Sequence, residues 1–519
     1  MRLLLIGVFA TIVAVPAIAN ETATSAEAPI PNAEATVPAP ATELPHGWVG
    51  RLSLVSGKVS VRVSEEWLDA ALNVPVTAGS LLRTSAQARA EIEIGGDTIE
   101  LAPESEIGIT KLDDHAIRVA VVGGRIGFAL GRLGDGERVE VEVSGEGVRL
   151  LQPGCYDIDA GNRRIAVSAG AAVSEDSDPT DATVQPAAGD EVAEWCRSRD
   201  YDETRLATPY YISPYVTGFA ELDAAGSWEH TAQYGAVWVP IGLPADWAPY
   251  RDGHWRWIAP WGWTWIDDQP WGFAPSHYGR WAFIGEHWAW VPGSFVGNPV
   301  YVPAAVAFLG TAGVGLSVAD SNSPAIAWFP LAPGEAYWPS YSGDLAYVRS
   351  LNQGDVADLD TIQLDANGEP PLEVVDRDFA NRRFASVVPR PVFINGGAVA
   401  PALLTLPEER LQDAPVLMGS PQVGPAVHRV ATAAPTVARR AQWVNHIAAL
   451  VARSLNRAKA LQTAFMHRRD PDRTPRLHGA HLRAPAYAQS APPRHTILLR
   501  VAHAVIAPAH GGARKSSRH

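Results

Sequence analysis

Three histidines and two aspartates gather in one stretch of this sequence, His254, Asp267, Asp268, His277 and His287. Two or three imidazoles with a carboxylate make a donor set for a transition metal. Adjacent Asp267 and Asp268 also raise the question of an acid–base pair. Around these residues there is no H-x-H, H-E-x-x-H or C-x-x-C spacing, so the reading favoured here puts them in turns and on solvent faces, with Asp267-Asp268 as a turn pair. His254, His277, His287 and Asp267 stay as weak metal candidates.

The same stretch, GHWRWIAPWGWTWIDDQPWGF at residues 253–273, carries a second kind of chemistry in its tryptophans. If Trp257, Trp261, Trp263, Trp271 and Trp288 face solvent, they form a platform on which the CH groups of a glycan stack, with Asp or His orienting hydroxyls. The competing reading is that most of these rings are core. Trp261 and Trp271 fall outside the W-x-W register and are the better candidates for an exposed pair. Nucleophile and cofactor signatures are missing: there is no G-x-S-x-G, no P-loop, and no dinucleotide fingerprint following a strand. No enzyme and no cofactor are expected, although triads assembled from distant residues stay open. Cys155 and Cys196 are the only cysteines. Export would permit a disulfide between them, and a free thiol pair is the alternative.

Positioning such residues requires elements, and their order is legible. The 519 residues have room for two or three domains. Residues 1–19 have the order of a signal peptide: Arg2, an apolar run from Leu3 to Val15, and small residues at Ala17 and Ala19. No later segment holds about 20 uninterrupted apolar residues, so no transmembrane helix is expected in the mature chain. Residues 20–45 are small, polar and Pro-rich, a disordered tether. Residues 46–174 alternate apolar and charged positions, as in Ala90-Glu-Ile-Glu-Ile94 and Val139-Glu-Val-Glu-Val143. That alternation predicts antiparallel strands with one core face and one charged face, in a sandwich or roll. Residues 175–209 read as an acidic linker and a short helix around Asp190–Arg199.

Residues 210–400 are a Trp-rich domain built on an internal repeat. Pro249, Gly253, Trp255, Trp257 and Ile258 recur 26 positions on as Pro275, Gly279, Trp281, Phe283 and Ile284; Trp263 and Trp265 recur 25 on as Trp288 and Trp290. Two β-hairpins follow, with rings paired across strands. Residues 401–519 are an Ala/Pro-rich basic tail, largely disordered, with one amphipathic helix near 439–466. From His428 onward the net charge is +14, against −28 for the rest of the chain.

The order Gly57, Trp67, Ala71, Gly79-Ser-Leu-Leu-Arg-Thr84, Ala90-Glu-Ile92, Leu101-Ala-Pro-Glu-Ser105 and Gly123-Gly-Arg-Ile-Gly127 resembles the FecR-like periplasmic domain. The resemblance implies a fold and a compartment, without sigma-factor signalling. Tyr234-Gly-Ala-Val-Trp-Val-Pro240, Trp247-Ala-Pro-Tyr250, Ala259-Pro-Trp-Gly-Trp-Thr-Trp265 and Pro270-Trp-Gly-Phe-Ala-Pro275 resemble the Trp/Pro-rich domain of unknown function that follows FecR-like domains in exported bacterial proteins. The fold class expected is therefore mainly β. The function expected is a non-catalytic binding or scaffolding module of the periplasm or cell envelope, with an envelope protein or cell-wall glycan as partner. The basic tail would attract an anionic polymer or lipid headgroup, not nucleic acid. Glycan or peptidoglycan recognition by exposed tryptophans is the alternative, and an envelope hydrolase or metal-dependent enzyme the remote one.

Overall fold

A computed structural model describes residues 47–63, 66–174, 192, 194–196, 198, 206–293, 299–310, 316–317, 324–364, 378–417 and 419–425. The expected signal peptide, tether, most of the acidic linker and the helix near 439–466 lie outside these residues. The protein is mainly β, and the described residues fall in one compact unit. Among the described residues no helix is long and apolar enough to cross a membrane.

The first domain is two sheets. One runs in the order Arg164–Ala169, Gly154–Asp159, Arg125–Leu130, Asp97–Leu101, Arg89–Ile94, Gly50–Ser56, Pro75–Val76. The other runs Ala172–Ser174, Glu146–Leu150, Arg138–Val143, Ala116–Gly123, Glu106–Asp113, Leu81–Thr84, Val59–Val63, Glu66–Asp69. Leu52, Ile92, Ile99 and Phe128 from the first share one buried cluster with Val61, Leu82, Ile107, Ile117 and Val141 from the second. The expected antiparallel pairing has one exception, the parallel pair of Arg138–Val143 with Ala116–Gly123. Between those two strands the chain visits the other sheet as Arg125–Leu130, and that crossover brings it back in the same direction.

The charged face is not the open face that alternation predicts. Glu91, Glu93, Glu100, Glu140 and Asp157 are all buried. Cross-strand arginines cover some of them: Arg118 Nε donates to Glu140 at 2.7 Å, and Arg125 Nε to Asp157 at 2.6 Å. A second cover is the segment expected to be a short helix, and Val192, Glu194, Trp195, Cys196 and Ser198 are indeed helical. Trp195 Nε1 donates to Glu91 at 3.0 Å, while Ser53 Oγ donates to the other oxygen at 2.7 Å. Gly127 makes the seat, since a Cβ there would lie 3.0 Å from both the Trp195 ring and Val192. Cys155 and Cys196, left open by the sequence, are bonded, with Cα atoms 5.9 Å apart, and tie this helical segment to the sheet.

In the second domain both predicted hairpins are present, strand for strand. Gly253–Ile258 pairs with Gly262–Asp267, placing Trp255 opposite Trp265 and Trp257 opposite Trp263. Arg280–Ile284 pairs with His287–Val291, placing Trp281 opposite Trp290 and Phe283 opposite Trp288. The repeat extends to its glycines: a Cβ on Gly253 would lie 2.3 Å from Ile266 O and 2.7 Å from the Trp265 ring, and one on Gly279 2.4 Å from Val291 O and 2.8 Å from Trp290 Nε1. Each hairpin therefore needs glycine where its second strand's tryptophan lies across the first. Rings meet edge to face, Trp255 with Trp265 at 5.5 Å and 68°, Trp257 with Trp263 at 5.5 Å and 88°. Such contacts add about 0.5–1.5 kcal/mol each beyond area burial.

The second hairpin joins Gly235–Pro240 and Gly226–Thr231 in a four-stranded sheet through Trp238 opposite Trp290. A further sheet holds Leu316–Ser317, Pro324–Pro330, Val306–Leu309 and Val416–Leu417, with Ser386–Pro389 also on Pro324–Pro330. The fold thus runs past residue 400, where the sequence suggests that the tail begins. Val416–Leu417 pairs with Phe308 and Leu309, Glu408–Asp413 is helical with Leu411 buried, and Trp263 Nε1 donates to Val423 O at 2.8 Å. A two-residue strand and a short helix leave too little periodicity to be read from an Ala/Pro-rich stretch.

Candidate functional site

The three histidines and Asp267 go to different places. His287 is exposed at the start of its strand beside the second hairpin turn, and His254 is half-buried with Nδ1 3.8 Å from Asp268. His277 ends the short helix Phe273–His277 and is fully buried, not on a solvent face. Its Nδ1 donates to Val302 O at 2.8 Å, its ring stacks on Tyr301 at 4.6 Å, and burial pulls it down to about 3. An imidazole so hard to protonate is a poor general base near neutral pH. Asp267 is also buried rather than solvent-facing. Its carboxylate accepts Trp265 Nε1 and Gln269 N–H, each at 2.9 Å, and burial pushes it up to about 7 against those bonds. The bond to Gln269 two residues on is a turn-forming contact, as expected for an Asp-Asp turn pair. Among the described residues no group of three or more His, Cys, Asp or Glu is placed to hold a metal ion.

Of the stacking candidates, Trp261, Trp263, Trp271 and Trp288 are buried and only Trp257 is half-buried. Trp261 packs on Tyr301 at 4.7 Å, Trp263 on Phe393 at 4.4 Å, Trp271 on Trp238 at 5.0 Å and Trp288 on Phe384 at 4.9 Å. Trp261 and Trp271 leave the hairpin register without leaving the core. Trp261 meets an aromatic from outside its hairpin, and Trp271, which follows that hairpin, meets one from another sheet, neither of which a strand-by-strand argument foresees.

The polar residues that the structure does gather were not among the candidates. Arg51 is buried between the two domains: Nε donates to Glu93 at 2.8 Å, Nη1 to Asn73 Oδ1 at 2.8 Å and to Pro270 O at 3.0 Å, and Nη2 pairs with Glu93 at 2.6 Å and with Glu221. Asn73, in the left-handed region at φ 61°, passes its own amide across to Asp267 O at 2.9 Å and Gln269 O at 2.7 Å. Gly218 N–H donates to Glu93 at 2.8 Å from the second domain. Burial pushes Glu93 up to about 7 against the opposing pull of Arg51. A second arginine, Arg280, lies among Asp355 at 2.8 Å, Asn352 Oδ1 at 2.9 Å, Glu335 O at 3.1 Å and Gly279 O at 2.8 Å. Burial pushes Asp355 up to about 6, with Arg280 opposing. Both arginines spend their donors on fixed protein acceptors, which makes them joints. The signal for Arg51 was a charge beside the core in Gly50–Ser56, but its partners lie as far as 219 residues away.

Residues 219–335 match the profile of a family of unknown function, DUF6600. A crystal structure of a protein described as an anti-sigma factor, from Parabacteroides distasonis, is similar over 20% of this chain at 14% identity and a TM-score of 0.17. The match spans about half of that protein, 51%. No curated protein matches this chain.

Proposed function

We propose that this chain is a non-catalytic binding or scaffolding module of the bacterial cell envelope, exported by its first 19 residues, in which a FecR-like domain at residues 46–174 and the DUF6600 region act as one rigid block. The observation that carries this reading is the Arg51 joint. A buried guanidinium with acceptors from both domains fixes their arrangement, and a fixed arrangement suits presentation of surfaces rather than closure over a substrate. The interior placement of the tryptophans also supports it, since the rings build the block. The basic residues from His428 onward supply electrostatic attachment to anionic envelope components.

The test is a pull-down from envelope extract with the mature chain and with a version ending before residue 428. A specific envelope protein retained by both supports the block as the binding part, whereas capture of nothing but anionic polymer, lost on truncation, overturns it. Glycan recognition is the second reading and rests on half-buried Trp257. Binding of muropeptides that Trp257→Ala abolishes would establish it.

A further inference from the structure

Four large apolar side chains are exposed among the described residues, and three of them belong to one locality: Tyr210 at 88%, Tyr211 at 45% and Ile241 at 60%. Tyr211 lies flat on Trp228, ring centroids 4.6 Å apart and 15° from parallel, and Trp228 Nε1 donates to Thr208 Oγ1 at 3.0 Å. Ile241 follows the partner strand and its N–H donates to Ala225 O at 3.0 Å. Between them runs Gly226–Thr231, the edge of the four-stranded sheet.

That last bond sets the phase of the ladder. Antiparallel pairs alternate between bonded and non-bonded, so Ser227, Glu229 and Thr231 exchange hydrogen bonds with Val239, Val237 and Gly235. Gly226, Trp228 and His230 are the non-bonded pairs, consistent with Pro240, which has no N–H, standing opposite Gly226. Their N–H and C=O groups point away from the hairpin, and among the described residues no strand pairs with that side. Of the usual guards the strand carries only the exposed charge of Glu229; it has no proline, no lysine and no register shift.

We infer that Gly226–Thr231 is a self-association edge, on which a second copy of this chain adds the same strand antiparallel about a two-fold axis at Trp228. Self-pairing is isologous, so one patch serves both partners. Centring it on Trp228 puts His230 opposite the other copy's Gly226 and Glu229 opposite its Ser227, so each exposed carboxylate faces a hydroxyl donor. Centring it on Glu229 instead would set two carboxylates against each other, which is unfavourable. Tyr211, stacked on Trp228, lies beside the new ladder. This goes beyond the scaffold reading and stands independently of which envelope component the block binds.

Sedimentation of the full chain over a dilution series tests it. A monomer–dimer equilibrium is expected, and His230→Pro should weaken it by about tenfold or more, because two outward N–H donors per dimer are lost while the bonds to Gly235–Pro240 stay. Circular dichroism and melting of that variant should match the wild type. If it misfolds, mild oxidation of mixed Ser227→Cys and Glu229→Cys proteins reads the register, with cross-linked heterodimer expected and no cross-link from Ser227→Cys alone. A monomer at every dilution overturns the inference, as does a dimer indifferent to His230→Pro, or an edge occupied instead by another protein's extended peptide.

Discussion

Arg51 and His277 show how burial assigns a role to a titratable residue. Removing one member of a buried ion cluster leaves the others uncompensated, typically at a cost of about 3–5 kcal/mol. Arg51→Ala should therefore lower the unfolding free energy by about that amount in urea titrations, with Glu93 and Glu221 losing their shared guanidinium. His277 gives a pH signature. Its folded value of about 3 is below the unfolded 6.5, so its contribution is fully present above pH 6.5 and is lost as pH falls toward 3. Relative to His277→Asn, whose amide still donates to Val302 O, the wild type should lose about 1.4 kcal/mol for each pH unit below 6.5. Asp267 works in the opposite sense: its value of about 7 means stability present below about pH 4 and lost as pH rises through 7. Both residues drew notice in the sequence for what they could bind, and nothing local distinguishes a buried histidine from a ligand.

At the level of elements the sequence was most legible where period and repeat agree. Trp255 opposite Trp265 and Trp281 opposite Trp290 follow from spacing alone, because cross-strand pairing preserves it. What stayed hidden is anything that depends on a distant cover. The alternation in Ala90–Ile94 correctly implies a strand, yet Glu91 is covered by Trp195, 104 residues on, and Glu93 by Gly218, 125 residues on. Trp261 and Trp271 were misleading as exposed candidates for the same reason. The disulfide was undecidable from two cysteines, and its loop of 41 residues now makes a quantitative claim possible. Cys196→Ser should cost about 4 kcal/mol in the chain-entropy model, read as the shift between urea midpoints. It should also increase hydrogen exchange at the described helical positions around Trp195 while leaving the Trp hairpins protected.

Among the described residues the main buried apolar cluster is continuous, from Trp48 and Leu52 in the first domain through Tyr250, Trp265 and Trp328 in the second. A continuous core with polar joints predicts a single calorimetric transition for the folded block, with the calorimetric enthalpy equal to the van't Hoff value. Two separated transitions would mean that the domains are stable alone and the joint is incidental.

The Arg51 joint also limits how these parts can be reused. A chimera that grafts the first 174 residues onto an unrelated protein would carry over a guanidinium, an asparagine and a glutamate whose counterparts stayed behind. Such a graft should be insoluble or poorly folded unless Arg51, Asn73 and Glu93 are recoded together for a water-facing surface, so the first domain is a module in its strand order but not at its boundary.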